Sequence, residues 1–169
     1  MPDDGGYGTV PSGASSDEQR NRWTNANVFA ALYIRDLEHE TPPGTYELVR
    51  SHAQGSIAGP LELSIDTQDH VRRTDMDMPA AAMWILIAGR IVYRYCKNNV
   101  DKVHPPGALR GTNGSIYLWL GGDGFSLARW KFWKERFGEI AQLEAVETGA
   151  RTLASQATNE MGKIESEDV

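Results

Sequence analysis

The chain has 169 residues, 40% of them hydrophobic, and a formal net charge of −6, which is enough for one domain with a single core. Its pI of about 5.2 argues against proteins that track nucleic-acid phosphates, whose binding surfaces are basic. The single cysteine, Cys96, excludes an intramolecular disulfide and a cysteine-based zinc site.

The first segment, residues 1–14, is rich in Gly, Pro, Ser and Asp, which predicts a disordered tail followed by one domain over residues 15–165. The tail lacks the basic and apolar parts of a secretory signal, so we expect a cytoplasmic protein. Ser15 and Glu18, or Ser16 and Gln19 one residue later, form a capping box that begins a first helix, and Thr41–Gly44 ends it. The apolar positions predicted for that helix are Trp23, Phe29, Ala30, Tyr33, Ile34 and Leu37.

The middle of the chain predicts two short helices and a long one. Residues 46–53 form the first, and Pro60 lies in the first turn of the second. The long helix spans residues 79–97, with Asp75 and Asp77 at the positive end of its dipole. Its apolar run is about half of the roughly 20 residues that span a bilayer, so we expect a buried helix and no membrane contact.

The last third predicts two further helices. Residues 98–115 read as a loop, Ile116 to Leu120 as a short strand or extended segment, and Gly121–Gly124 as a turn. Ser126 caps a helix that runs to about residue 147, and a final helix follows Gly149. The sequence therefore predicts a mostly α domain, an irregular bundle of five or six helices.

The helix after Ser126 carries the densest aromatic cluster. On a helical wheel Trp130, Trp133 and Phe137 share one arc with Ile140, which predicts a core face. Arg129 and Arg136 fall beside that arc. Either they pair with acids such as Asp75, Asp77 or Glu62, or they line a cleft that binds a carboxylate or phosphate. The first interpretation is favoured because buried charges are normally paired within the protein.

Other chemistry-bearing residues form no recognisable site. The four histidines, His39, His52, His70 and His104, lie in different segments without ligand spacing, so we expect surface histidines and neither metal nor cofactor. Cys96 lies on an apolar helix and is expected to be an inert thiol.

Two segments, Pro79–Gly89 and Gly124–Phe137, resemble a fungal family known only as a domain of unknown function, number 3632. The resemblance covers roughly residues 25–165. It implies a filamentous-fungal source and a mostly helical fold, and it supplies no catalytic residue. By association with fungal gene clusters, it suggests an accessory role in secondary metabolism.

Two functions remain open. The first is a soluble helical protein that acts by binding a partner protein or a small molecule, with no nucleic acid or membrane as partner. The second is a small cofactor-independent enzyme of cyclase or isomerase type, with an aromatic pocket between the helices of Trp84 and Trp130. Arg129, Arg136 and His70 are the polar groups available to such a pocket. An enclosed cavity beside the arginines would favour the enzyme, and a solid core would favour the binding protein.

Overall fold

The computed structural model describes residues 15–37, 47–101 and 116–168, and these form five helices. Their bounds are α1 Ser16–Leu37, α2 Glu47–Leu61, α3 Gln68–Lys97, α4 Leu127–Ala141 and α5 Thr148–Glu167. Within these ranges there is no strand, only an isolated antiparallel bridge between Leu63 and Tyr117. The predicted mostly α class is confirmed. The predicted tail, the turn at Thr41–Gly44 and residues 102–115 of the predicted loop lie outside the described residues.

The central element is α3, which contacts each of the other four helices. The backbone N–H of Glu147 donates to Asp75 at 2.8 Å, and Lys97 pairs with Asp168 at 2.6 Å. The residue near the start of α3 contacts the start of α5, and the residue at the end of α3 contacts the end of α5. The two helices therefore run parallel. Similar pairings place α1 parallel to α3, while α2 and α4 run in the opposite direction. The fold is an up-and-down bundle around α3.

The long helix begins eleven residues earlier than predicted, at Gln68 rather than Pro79. The Thr67 hydroxyl caps it by accepting the N–H of His70, and Val71, Thr74 and Met78 face the core. Pro79 cannot donate to the carbonyl four residues before it. The helix nevertheless continues because burial of the preceding turns offsets that lost hydrogen bond.

The two predicted short helices in residues 46–71 are wrong. The structure has one helix, α2, in which Pro60 lies in the last turn instead of the first. Ala53, Ile57 and Leu61 are spaced four residues apart and are at most 1% exposed, so one continuous apolar stripe spans the predicted break.

The buried face of α1 matches the predicted one only in part. Its buried residues are Asn27, Ala31 and Ile34, of which Ile34 was predicted, and the predicted Ala30 and Tyr33 are partly buried against the core. Trp23 is 38% exposed and Phe29 is 71% exposed, although both were predicted apolar-face positions. Asn27 is fully buried because its side chain donates to the Trp23 carbonyl at 3.0 Å and accepts the Trp84 indole N–H at 2.8 Å. Hydrophobic periodicity alone does not find a buried asparagine.

Two capping predictions hold, and one helix is shorter than expected. The Ser15 hydroxyl accepts the N–H of Glu18 at 3.2 Å, and the Ser126 hydroxyl accepts that of Arg129 at 3.1 Å. The helix that Ser126 caps ends at Ala141, not near residue 147. The last helix begins at Thr148, where the Asp75 carboxylate takes up an N-terminal N–H.

By length and composition α3 is the one helix in the described ranges that could cross a membrane. Its most apolar 18-residue window has a mean hydropathy of 1.2, and 50% of that window is buried inside the bundle. The core helix of a soluble protein meets the same criterion. The apolar part of this helix is therefore longer than the run at residues 79–89 from which a membrane span was judged too short. The expectation of no membrane contact stays a prediction.

Asp77 and Asp75 lie inside α3, not at its positive end. Burial raises the pKa of Asp77 from 3.8 to about 6, against a smaller opposing effect of the Arg73 charge. Between these two values the folded protein holds the proton more tightly than the unfolded chain, so stability falls as pH rises from about 4 to about 6.

We therefore expect Asp77→Asn to raise the free energy of unfolding by roughly 2–3 kcal/mol at pH 7.5, because asparagine cannot ionise. At pH 4 the gain should nearly vanish. Urea denaturation at both pH values measures it, with the exposed Asp69→Asn as control, expected to change stability by no more than about 1 kcal/mol. An equal effect of Asp77→Asn at both pH values would contradict this.

Candidate functional site

Arg129, in the first turn of α4, is 2% exposed and forms a buried ion pair. Its Nε and Nη2 donate to the two carboxylate oxygens of Glu62 at 2.6 and 2.8 Å, and its Nη1 donates to the Gly124 carbonyl at 2.8 Å. The Trp133 indole N–H donates to the same carboxylate at 2.7 Å. Of the three acids predicted as partners, Glu62 is therefore the one that pairs with Arg129.

Arg136 lies two turns further along α4, and its guanidinium group contacts the end of α2 and the residues that follow it. Its Nε donates to the Leu61 carbonyl at 2.9 Å and its Nη2 to the Leu63 carbonyl at 3.4 Å. Its acidic partner is Glu139 on its own helix, not an acid from another helix as predicted. Together the two arginines hold the end of α2 against α4.

The segment that they hold also anchors the residues before α4. The N–H of Ser64 donates to the Ile116 carbonyl at 2.9 Å, and the N–H of Leu118 donates to the Glu62 carbonyl at 2.8 Å. With three guanidinium donors and an indole N–H all satisfied, this cluster has the geometry of a structural ion pair. Its burial leaves no room for an anionic ligand.

The aromatic pocket of the enzyme hypothesis is filled. Trp84 is 0% and Trp130 is 1% exposed, which leaves no water-sized space against either indole. Trp84 donates to Asn27, and Trp130 donates to Glu165 at 2.9 Å. The Trp84 ring contacts the His52 ring, with centroids 6.2 Å apart. The Trp130 ring contacts a different neighbour, the Tyr93 ring, with centroids 5.0 Å apart.

His70 and His52 do not take part in a pocket of useful size. The His70 Nδ1 accepts the N–H of Asp66 at 3.2 Å, and the ring borders a cavity of about 10 Å³, the size of one water. His52 lies between the rings of Trp23 and Trp84, and burial lowers its pKa, so it is not the surface histidine predicted. His39 and His104 lie outside the described residues.

A depression lies elsewhere, where α1, α3 and α5 meet beside a kink in α3. Ala88 interrupts the helix with φ −120° and ψ 17°. At the next residue, a Cβ on Gly89 would lie 2.8 Å from the Ile164 Cδ1, so glycine lets α5 approach α3 closely there. Beside this contact is a cavity of about 450 Å³, which we call the kink groove.

The kink groove has an apolar base and a charged rim. The base consists of Ile85, Leu86, Ile87, Ala88, Gly89, Ile91 and Ile164. The rim consists of Arg35, Arg90, Arg94 and Glu160. Three arginines and one glutamate give the rim a formal charge of +2, although the whole chain carries −6. A second cavity of about 400 Å³ adjoins it and shares Arg90, Arg94 and Ile164.

The sequence did not mark Arg90 or Arg94 as residues of a site. The signal that could have marked the groove is Gly89, a glycine that interrupts an apolar helix at a close helix contact. Arg35 lies on α1, so its position beside the groove could not have been predicted without the fold.

The described residues that line the groove are apolar or carry a guanidinium or carboxylate group. The described ranges contain no group of three or more His, Cys, Asp or Glu side chains that could hold a metal. Cys96 is fully buried, and burial raises its pKa to about 12, so it stays a protonated thiol. What the geometry offers is a place to bind.

One family model, described as "Protein of unknown function (DUF3632)", matches residues 8–137. The match covers Glu62, Arg129 and the α3 side of the kink groove, and α5 lies beyond it. No curated protein and no solved structure matches the chain.

Proposed function

Because the chain belongs to the DUF3632 family, whose description assigns no function, we propose its role from geometry: it binds a small, largely apolar molecule in the kink groove without converting it. The observation that carries the proposal is the cavity of about 450 Å³ with an apolar base, a volume within the range of small-molecule sites. The burial of Arg129 and Trp130 supports placing the ligand in the kink groove and not beside those residues.

The kink explains why this volume is not filled by the core itself. Core side chains pack without voids where helices run straight alongside one another. At Ala88 the axis of α3 changes direction, so Leu86 and Ile87 are only half-buried in a helix that otherwise buries most of its apolar residues. Half-buried apolar side chains around a depression are what an apolar ligand would cover.

The kind of groups present supports binding without catalysis. General acid–base catalysis needs a titratable group with a suitably shifted pKa beside the bound molecule. The groove rim offers three guanidinium groups, which stay protonated and serve as hydrogen-bond donors, and one carboxylate, Glu160, which pairs with Lys163.

The neutral fluorescent probe N-phenyl-1-naphthylamine tests the proposal, since its emission rises in apolar surroundings. We expect saturable binding by the wild type. Leu86→Trp, which fills the groove from a half-buried lining position, should weaken binding by about tenfold or more. The probe is excited where tryptophan does not absorb.

The matched control is Leu48→Trp, which adds the same side chain at an 83% exposed position on α2. It should leave probe binding unchanged. Absence of saturable binding by the wild type, or equal binding by Leu86→Trp and wild type, would refute the proposal, provided that both variants retain the wild-type melting temperature.

A further inference from the structure

We propose that residues 116–120 form an interaction surface for a second copy of this chain, which pairs with them as an antiparallel strand across a two-fold axis beside Tyr117. We call these residues the bridge segment, because they hold the isolated bridge to Leu63. The inference is independent of the kink groove, which is lined by residues of α1, α3 and α5.

One backbone edge of the bridge segment is already used inside the domain. The Ile116 carbonyl accepts the N–H of Ser64 at 2.9 Å, and the N–H of Leu118 donates to the Glu62 carbonyl at 2.8 Å. In an antiparallel pair, the residue between two such bonds directs its own N–H and C=O away from the partner. That residue is Tyr117, and among the described residues neither group has a hydrogen-bond partner. Tyr117 therefore presents a donor and an acceptor to a strand on the other side.

The side chains at the two ends of the bridge segment are apolar and uncovered. Ile116 is 64% exposed and Leu120 is 85% exposed. Trp119 instead packs its ring on Phe132 of α4, with centroids 5.3 Å apart. The segment thus lies on the domain with one apolar side in contact and another in solvent. Because exposed apolar surface around unpaired backbone groups marks an interaction site, these side chains favour a partner strand.

The sequence of the bridge segment lacks the features that keep strand edges apart. Natural proteins protect an open edge with charged residues, prolines or bulges. Residues 116–120 contain neither a charged residue nor a proline, and the uncharged run extends from residue 111 to residue 122. Two copies that each carry a charge of −6 repel one another, so they associate most readily where no charges face each other. This run provides such a place.

A second copy fits this edge because the edge is complementary to itself. An antiparallel pair of identical strands has a two-fold axis, so each copy donates where the other accepts. With the axis beside Tyr117, the N–H of each Tyr117 donates to the carbonyl of the other. Ile116 of one copy then lies opposite Leu118 of the other. Since so short a strand pair is small beside a standard interface of roughly 1,600 Å², we expect the dimer to depend on concentration.

Sedimentation equilibrium of the full chain over a range of concentrations tests the proposal. We expect the wild type to dimerise with a dissociation constant of roughly 10–100 μM, as for a small, transient interface. Ile116→Lys replaces an apolar cross-strand contact by a charge in both copies and should weaken dimerisation by about tenfold or more. Tyr117→Pro removes the donated N–H from both copies and should weaken it to a similar extent.

Leu48→Lys is the matched control, because it makes the same change in net charge at an 83% exposed position on α2. It should leave dimerisation unchanged. Tyr117→Pro spares both hydrogen bonds to residues 62–64, which use the N–H groups of Ser64 and Leu118. The melting temperatures of the monomeric variants should therefore stay near that of the wild type.

A dimer that both Ile116→Lys and Tyr117→Pro retain would overturn the proposal, because it would be formed by another surface. A wild type that is monomeric at every concentration would also overturn it, and hydrogen exchange of the Tyr117 amide would then show why. Slow exchange would mean that the chain's own residues cover the edge, and fast exchange would mean that the edge is left for a different protein.

Discussion

Replacing Arg129 by methionine is expected to lower the free energy of unfolding by roughly 3–5 kcal/mol, the usual cost of leaving a buried charge without its partner. Methionine retains most of the apolar stem. The Glu62 carboxylate, whose side chain is 4% exposed, then keeps only the Trp133 indole as a side-chain donor. Midpoints of urea denaturation measure the loss, with the exposed Arg22→Met as control, expected to cost no more than about 1 kcal/mol.

The double variant Glu62→Gln with Arg129→Met sharpens this test. Since both residues belong to one hydrogen-bonded cluster, their separate costs should sum to more than the cost of the double variant. A higher denaturation midpoint for Arg129→Met than for the wild type would show instead that the arginine is held at a cost to stability, as a ligand cleft requires.

Replacing Trp133 by alanine is expected to cost roughly 3–5 kcal/mol, and Trp130→Ala a similar amount, as large-to-small changes in a packed core do. Trp133 is 0% exposed, lies edge-on to Phe125 with ring centroids 6.3 Å apart, and donates to Glu62. Its loss removes a large buried ring and a hydrogen bond to a buried carboxylate together. Thermal and urea denaturation measure the effect.

Trp23→Ala is the control for ring size, because Trp23 is 38% exposed and should cost well under half as much. If Trp133→Ala fails to fold, Trp133→Phe keeps most of the volume and isolates the hydrogen bond. An unchanged melting temperature for Trp133→Ala would mean that the ring does not belong to the core.

Helix α4, which carries the aromatic cluster, shows what a local sequence pattern can predict. Its cap at Ser126 and its buried face of Trp130, Trp133 and Phe137 are as predicted, because one helix period sorts those side chains unambiguously. The start of α3 was wrongly predicted at Pro79, because contacts with other helices and not the local pattern decide it. A proline at that position is a local stop signal, and burial of the preceding turns against other helices overrides it.

The sequence by itself determined that the protein is helical and that α4 buries an aromatic face, since periodicity is a local property, and it favoured an acidic partner for Arg129 over a ligand cleft. Only the tertiary structure decided that this partner is Glu62, that Asn27 is a core residue, and that a groove lies beside Ala88. Each depends on which residues from different helices meet, and that is set by the packing of α1, α2, α4 and α5 around α3.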